Sequence, residues 1–408
     1  SRAMPENEEP PAKLVGYFFY EKRSEIPKKV FDFLTYFGCT VIIVERICTQ
    51  STARVTMGRK SVAVLDVRSS EISIVVGERG VNNTFVFKAS KTEPYDGYDD
   101  TAFFDADRLS DAVFRALTSV EQICGERIRE LYVGVPGAFT RVVPKEQVTG
   151  FPKKRRISRR EIDALFAGGK EELEGYRFIR ATSMIYVTGD NRRVVDPVGL
   201  SSEVLSGVLS YFYCTDYFAE TIESIFADMK ITLHFLPTEL AMATYLIPSE
   251  TRDEYALFFD AGYMSSTLLV LMGNGVLSER TYFVGKGQIA VRLMQRFALP
   301  YDAAAALLAR ANLFSRDNAG RTEFSYRGET YEIDLDDLVE TVKEGLDEIC
   351  EAIGGFLEEC SGKELDYKPL YISGEGLCEI RGALEHVSKR VSRICEQVAP
   401  DLPYYNKP

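Results

Sequence analysis

The chain has 408 residues, enough for two or three domains with full cores. Hydrophobic residues make up 45% of it and aromatic residues 12%, which excludes a disordered chain. A formal net charge of -12 excludes general nucleic-acid binding, which needs a basic footprint.

Cys39, Cys48, Cys124, Cys214, Cys350, Cys360, Cys378 and Cys395 are scattered without a CxxC pair, and only His234 and His386 could join them as metal ligands. That spacing is not a metal centre; it fits small buried hydrophobes in a reducing compartment. No signal peptide is visible, and no apolar run reaches the roughly 18 residues of a membrane span. With two histidines and no GxSxG, the chain offers no nucleophile and base, so no catalytic residue is assigned.

Ser1–Arg2–Ala3 ahead of Met4 reads as a cloning remnant, and residues 4–12 as a loose tail. A helix is expected at 26–34 and a strand at 40–44. Ser61–Asp66 and Ile72–Gly77 form a hairpin pattern, with a third strand at 84–88. Asp105–Cys124 is an amphipathic helix with Leu109, Val113, Leu117, Val120 and Ile123 on one face.

Glu130–Gly137 is a buried strand running into a Gly/Pro turn. The run Lys153, Lys154, Arg155, Arg156, Ile157, Ser158, Arg159, Arg160 reads as a basic loop entering a helix, with Ser158 and Glu161 as a capping box. It is a solvated loop or a contact for an acidic partner or the next subunit. Strands follow at 179–187, 204–213 and 231–236, the last two flanking a helix at 216–229 in a βαβ pattern.

A helix starts at Thr238, and a second hairpin pattern with an Asp turn spans 257–270. Val276–Val284 is a strand, Ile289–Phe297 a helix, Thr322–Ile333 a hairpin turning at Arg327–Gly328, and Leu335–Glu359 a long helix. A strand at 370–373, a turn at 374–376, a helix at 380–391 and a strand at 394–398 close the pattern. The two copies of strand, Asp turn and strand, at Asp66 and at Asp260, predict duplicated halves facing across a cleft.

The order of these units, with Asp196–Pro197–Val198–Gly199–Leu200 closing an insert, Gly285–Lys286–Gly287 before a helix and Ser373–Gly374–Glu375–Gly376 after a strand, resembles the bacterial cell-division protein FtsA over residues 60–408. The resemblance implies an α/β, actin-like fold of duplicated half-domains flanking a cleft, with an FtsA-type inserted subdomain. Its divisions would be a 1–60 extension, subdomain IA at 61–126 and 201–252, the insert at 127–200, IIA at 253–298 and 366–408, and IIB at 299–365. It implies a cytoskeletal scaffold that self-associates into filaments and holds the C-terminal peptide of FtsZ and other divisome proteins at the division site. The family attaches to the inner face of the cytoplasmic membrane through a C-terminal amphipathic helix beyond the point where this sequence stops. The FtsZ peptide would meet Arg310, Arg316, Arg321 and Arg327, and filament contacts would include Lys153, Lys154, Arg155 and Arg156.

For ATP and Mg²⁺ the resemblance implies Asp66, Arg68 and Ser69 in the first phosphate loop and Asp260, Gly262 and Ser265 in the second. Ser373, Gly374, Glu375 and Gly376 would form the adenosine turn, with Asp66 and Asp260 holding the metal. The motifs depart from the family pattern: Arg68 replaces a glycine, Tyr263, Met264 and Thr267 replace small or acidic residues, and Ala304 and Leu307 stand where a Glu and a Lys are expected. Glu375 adds a carboxylate beside an anionic ligand. Two readings of the cleft follow: a divergent ATP site driving an active filament, or a pseudo-nucleotide site in which Arg68 and Glu375 meet across the cleft. A pilus or secretion scaffold resembling PilM is the alternative among proteins of this fold.

Overall fold

The structure, a computed structural model, describes residues 61–79, 85–314, 320–360, 362 and 364–399. The elements expected at 26–34 and 40–44, and Arg316, lie outside those residues.

Strands β1 (Ser61–Val67), β2 (Glu71–Arg79) and β3 (Phe85–Pro94) form the expected antiparallel series, the third extending well past residue 88. Two parallel strands complete this sheet on the other side of β1: β4 (Glu130–Val135) and, later in the chain, β9 (Thr232–Pro237), in the order β3-β2-β1-β4-β9. The helix Ala106–Cys124 covers one face, its first turn capped by Asp105, which accepts from the Arg108 N–H at 3.0 Å. Leu109, Val113, Leu117 and Val120 are buried, whereas Ile123 in the last turn is exposed, the apolar stripe having ended one turn earlier.

Between β4 and β9 lies a separate sheet of β5 (Thr140–Arg156), β6 (Tyr176–Thr188), β7 (Arg193–Val194) and β8 (Ser201–Thr215), ordered β5-β8-β6-β7. The helix Arg159–Gly169 packs on it through Ile162 and Leu165, and its Ser158–Glu161 capping box is formed. Three sequence expectations change here. Strand β4, inside the 127–200 span, belongs to the first-half sheet because it pairs in parallel with β1. Strand β8 is antiparallel to both β5 and β6, so it forms no βαβ unit with β9. The basic run at 153–156 is not a loop but the end of β5, an edge strand of this sheet.

The second half repeats the first. Strands β10 (Tyr255–Ala261), β11 (Ser266–Met272) and β12 (Gly275–Tyr282) are antiparallel. After the hairpin β13 (Arg321–Tyr326) and β14 (Glu329–Asp334) and the helix Leu335–Glu359, strands β15 (Leu370–Ser373) and β16 (Cys395–Gln397) add in parallel, giving β12-β11-β10-β15-β16. Asp66 and Asp260 each stand one residue from the end of their strand, and each lies in register with the neighbouring parallel strand, at Gly134 and Ser373 respectively. The duplication read from the two Asp turns is therefore a duplication of topology.

The near-continuous apolar runs of β10 and β11 are explained by burial on both faces. Leu257, Phe259, Leu268 and Val270 join the core of the second half, while Phe258, Leu269 and Leu271 turn to the opposite face. There they meet Leu240, Met242 and Ala243 from the helix Thr238–Leu246 and Phe212 from β8. The two halves and the inserted sheet thus share one hydrophobic core.

Polar contacts reinforce the junction. The buried guanidinium of Arg252 donates to the carbonyls of Ile247 and Thr244 at 3.0 and 3.2 Å, to the carbonyl of Gly273, and to Asn274 Oδ1 at 3.0 Å. On the insert side, Ser210 Oγ accepts from Val276 N–H at 2.8 Å and Ser183 O accepts from Asn274 N–H at 3.1 Å.

Replacing Phe258 with alanine (F258A) opens a cavity in the shared core, and the expected cost is about 3–5 kcal/mol, read as a lower urea midpoint. A shift worth under about 1 kcal/mol would mean that the halves are not packed together in solution.

Candidate functional site

The ends of β1 and β10 face each other across the cleft. Asp66 is fully buried, and the Nε of Arg68 donates to its Oδ2 at 3.1 Å. Burial pushes Asp260 up to about 6, with the Arg68 guanidinium opposing that rise and Asp66 and Glu375 adding to it. Glu375 is also raised by burial, against the pull of Arg68 and Lys286. Glu71, behind the first turn, is pushed up to about 8 by burial and by Glu375. Arg68 therefore serves carboxylates from both halves, and one of its hydrogen bonds goes to Asp66 of its own loop.

Other residues also bridge the loops directly. Ser69 Oγ accepts the backbone N–H of Met264 at 3.0 Å, and the Tyr98 hydroxyl hydrogen-bonds Ser265. In a phosphate loop such N–H groups point at an anion; here one points at a serine of the facing loop. The carbonyls of Tyr263 and Met264 accept from Gly287 N–H and Gln288 Nε2 at 2.7 and 2.9 Å, and the Tyr263 hydroxyl bonds that of Tyr301 at 2.6 Å. Gly262 donates its N–H to Ser266 Oγ at 3.3 Å.

Ser373 ends β15 beside Asp260. Gly374 has φ +93°, and a Cβ there would come within 2.3 Å of Ala261 O. That glycine is needed for one loop to lie on the other, and Glu375 and Gly376 then open the short helix Glu375–Cys378. Ala304 and Leu307 are buried in the core of the second half, which accounts for apolar residues at those positions.

What remains of the cleft is a cavity of about 40 Å³ lined by Asp66, Arg68, Ser69, Glu239, Asp260 and Glu375. That is room for a few waters, whereas sites for larger ligands run from about 300 to 1,000 Å³. A nucleotide does not fit this arrangement, and the Arg68 guanidinium stands on the carboxylate that would face its metal. Among the described residues no group of three or more His, Cys, Asp or Glu is placed to hold a metal ion.

Two further acids, which sequence reading did not single out, lie deeper. Glu239 accepts from the Gly137 N–H at 2.8 Å through Oε1, while its Oε2 is buried without a partner. Both carboxyl oxygens of Glu279 on β12 are buried and unpartnered too. Burial pushes Glu279 up to about 8, and burial together with Glu279 and Asp260 holds Glu239 well above the usual carboxylate range. Both are neutral acids, one from each half. Their sequence contexts, a helix start and an alternating strand, look like surface positions, so nothing local signals the burial.

The expected partner residues lie on the outer faces. Lys153 and Lys154 are exposed, Arg155 pairs with Glu161 and sits 4.7 Å over the Phe151 ring, and Arg156 donates to Gly199 O at 3.1 Å. Arg310 lies 4.9 Å over Phe324, Arg321 pairs with Glu332 at 3.2 Å, and Arg327 pairs with Asp302 at 3.2 Å. No helix among the described residues is long and apolar enough to cross a membrane.

The larger opening is elsewhere. A cavity of about 670 Å³ lies between the inserted sheet and the first half, with Ile162, Phe166, Arg180, Tyr186, Leu240 and Thr244 among its walls. Its lining is drawn from residues between Tyr132 and Asn274, distant in sequence, so only the fold assembles it.

No protein-family model matches the sequence, and no curated protein matches it significantly. Among solved structures, the chain is similar to the PilM-PilN type IV pilus biogenesis complex, with 12% identity, a TM-score of 0.55, and 84% of this chain and 89% of that chain covered. It is also similar to MreB5 of Spiroplasma citri bound to ADP, with 10% identity, a TM-score of 0.51, and 84% and 92% covered. Two duplicated halves with Asp66 and Asp260 at matching strand ends, together with these likenesses, identify the fold of the chain as that of the actin-like ATPases.

Proposed function

We propose that the chain is an assembly scaffold built on the actin-like fold, working without nucleotide turnover and binding partner proteins and further copies of itself. The observation that carries this reading is the hydrogen bond from Met264 N–H to Ser69 Oγ, which joins the two phosphate loops where a phosphate would otherwise bridge them. Arg68, Tyr98 and Gly374 reinforce the closure, and the space left is about 40 Å³. The opening of about 670 Å³ beside the inserted sheet is the better candidate for a ligand, and we assign it to a short segment of a partner protein.

Two assembly settings fit such a scaffold. The resemblance to FtsA implies cell division at the cytoplasmic face of the membrane, with the FtsZ peptide as partner. Similarity to a PilM-PilN complex favours a pilus or secretion assembly. The second gains weight because Arg321 and Arg327, proposed to receive an acidic FtsZ peptide, are matched by the chain's own Glu332 and Asp302. An ATP-driven filament is the competing reading, in keeping with a solved structure of this fold that is bound to ADP.

Titration calorimetry with ATP and Mg²⁺ at millimolar concentration is expected to give no binding heat. A saturable isotherm, or nucleotide ordered between Asp66 and Asp260 in a crystal, would overturn the closed-cleft reading.

The neutral acids add a pH signature. Glu71 and Glu279 titrate near 8 when folded against 4.5 as free side chains, so their contribution to stability is full below about 4.5 and is lost as pH rises through about 8. The thermal midpoint is expected to fall between pH 5 and pH 8. Replacing Glu279 with glutamine (E279Q) flattens that slope and stabilises the protein at pH 8 by at least about 1 kcal/mol, roughly one pKa unit. If Mg²⁺ abolished the wild-type slope, the acids would belong to a metal site instead.

A further inference from the structure

The wall of the large cavity carries a charge that the chain does not neutralise. Strand β6 places Arg180 and Thr182 two residues apart, on one face of the strand, and both line the cavity. Among the described residues the exposed Arg180 side chain makes no hydrogen bond or ion pair. The Thr182 hydroxyl is buried and has no hydrogen-bond partner. The cavity wall therefore holds an exposed guanidinium fork and a buried hydroxyl whose capacity to bond other protein groups is unused.

The cavity also holds two carboxylates, Asp163 and Asp196, together with Arg159. Burial raises the Tyr186 phenol, Asp196 and Asp163 push it further up, and Ser183 and Arg159 pull it down. None of them pairs with Arg180, which is exposed at the cavity wall. The exposed guanidinium is solvated while the cavity is open, and a segment that covers it removes that water, which is costly unless a counter-charge comes with it. Much of the remaining wall is apolar, with Ile162, Phe166, Leu236 and Leu240 among it.

We infer that Arg180 and Thr182 read a carboxylate on a short apolar segment of a partner protein, an Asp or Glu side chain flanked by aliphatic or aromatic residues. The guanidinium receives the carboxylate in a forked pair, Thr182 donates its hydroxyl to the same group, and the apolar walls take the flanking side chains. The inference rests on the partner-docking reading of this cavity, and it adds the chemistry by which one segment is chosen over another. A partner with an amide in place of the acid leaves the guanidinium desolvated and unpaired, so discrimination comes from the penalty on the wrong partner as much as from the bond to the right one.

The test uses the full chain. A random decapeptide display library is selected against it, and the recovered sequences are synthesised with a fluorescein label for anisotropy titration. Recovered peptides are expected to carry an Asp or Glu among apolar residues. Changing that acid to its amide should weaken binding at least tenfold, and Arg180→Gln (R180Q) should weaken the acidic peptide at least tenfold while leaving its amide version unchanged. Arg180→Lys should keep part of the affinity, and the thermal midpoint of R180Q should equal or exceed that of the wild type, which shows that the variant is folded.

Recovered peptides without an acid, or affinity unchanged in R180Q, would overturn the role of Arg180. So would free glutarate competing at micromolar concentration, since the ligand would then be a small dicarboxylate. Filling the cavity by Ala241→Trp separates the two levels of the reading. Peptides that still bind that variant, or a selection that recovers no binder, would overturn docking in this cavity itself.

Discussion

The structure depends on one hydrophobic core that belongs to no single half. Helix Thr238–Leu246 comes from the first half, Phe212 from the inserted sheet, and Phe258, Leu269 and Leu271 from the second half. Each of these residues is at most 6% exposed or better buried, and each large one contributes about 1.5–3 kcal/mol by leaving water. Arg252 then ties helix-end carbonyls in the first half to the β11–β12 turn in the second. With the back of the molecule fixed in this way, the two Asp turns at the front are held within hydrogen-bonding reach of each other. The bond between Ser69 and Met264 is thus a consequence of packing on the far side.

The cleft chemistry follows from that closeness. Carboxylates brought together from two halves cannot all stay ionised in a dry space. Arg68 compensates part of the charge around Asp66, and protonation removes the rest at Glu71, Glu239 and Glu279. The same closeness explains the glycine at 374, where a Cβ would strike the facing loop. Glycines that sequence patterns associate with an approaching ligand can equally be required by the approach of the protein's own backbone.

Much of the fold was legible in the sequence wherever one periodicity ran uninterrupted. The helix Leu335–Glu359 has the limits its apolar stripe predicts, the Arg327–Gly328 turn is where two positive φ values fall, and the Asp66 and Asp260 hairpins announce the duplication. Local pattern failed where tertiary pairing decides. The basic run at 153–156 looks like a loop because charge and strand edge are hard to tell apart, and β8 looks like a βαβ strand because alternation does not say which sheet receives it. The departures at Arg68, Met264 and Glu375 lie where the two Asp turns meet, but the partner of Ser69 lies 195 residues away and could not be read from either loop. Arg180 carried no signal at all: a single arginine in a strand gains its meaning only from the cavity that the fold assembles around it.

The shared core has a consequence for timing. In a two-lobed protein whose lobes pivot on a bound nucleotide, the pivot angle acts as a clock, recording how long ago a subunit was loaded. Here the pivot is filled by Phe212, Phe258 and Leu271 and pinned by Arg252. On the proposed reading, a subunit built this way is the same object whether newly made or long assembled. If the chain is the scaffold proposed above, the age of a complex it enters is kept by something else, the supply of its partners or the rate at which they leave.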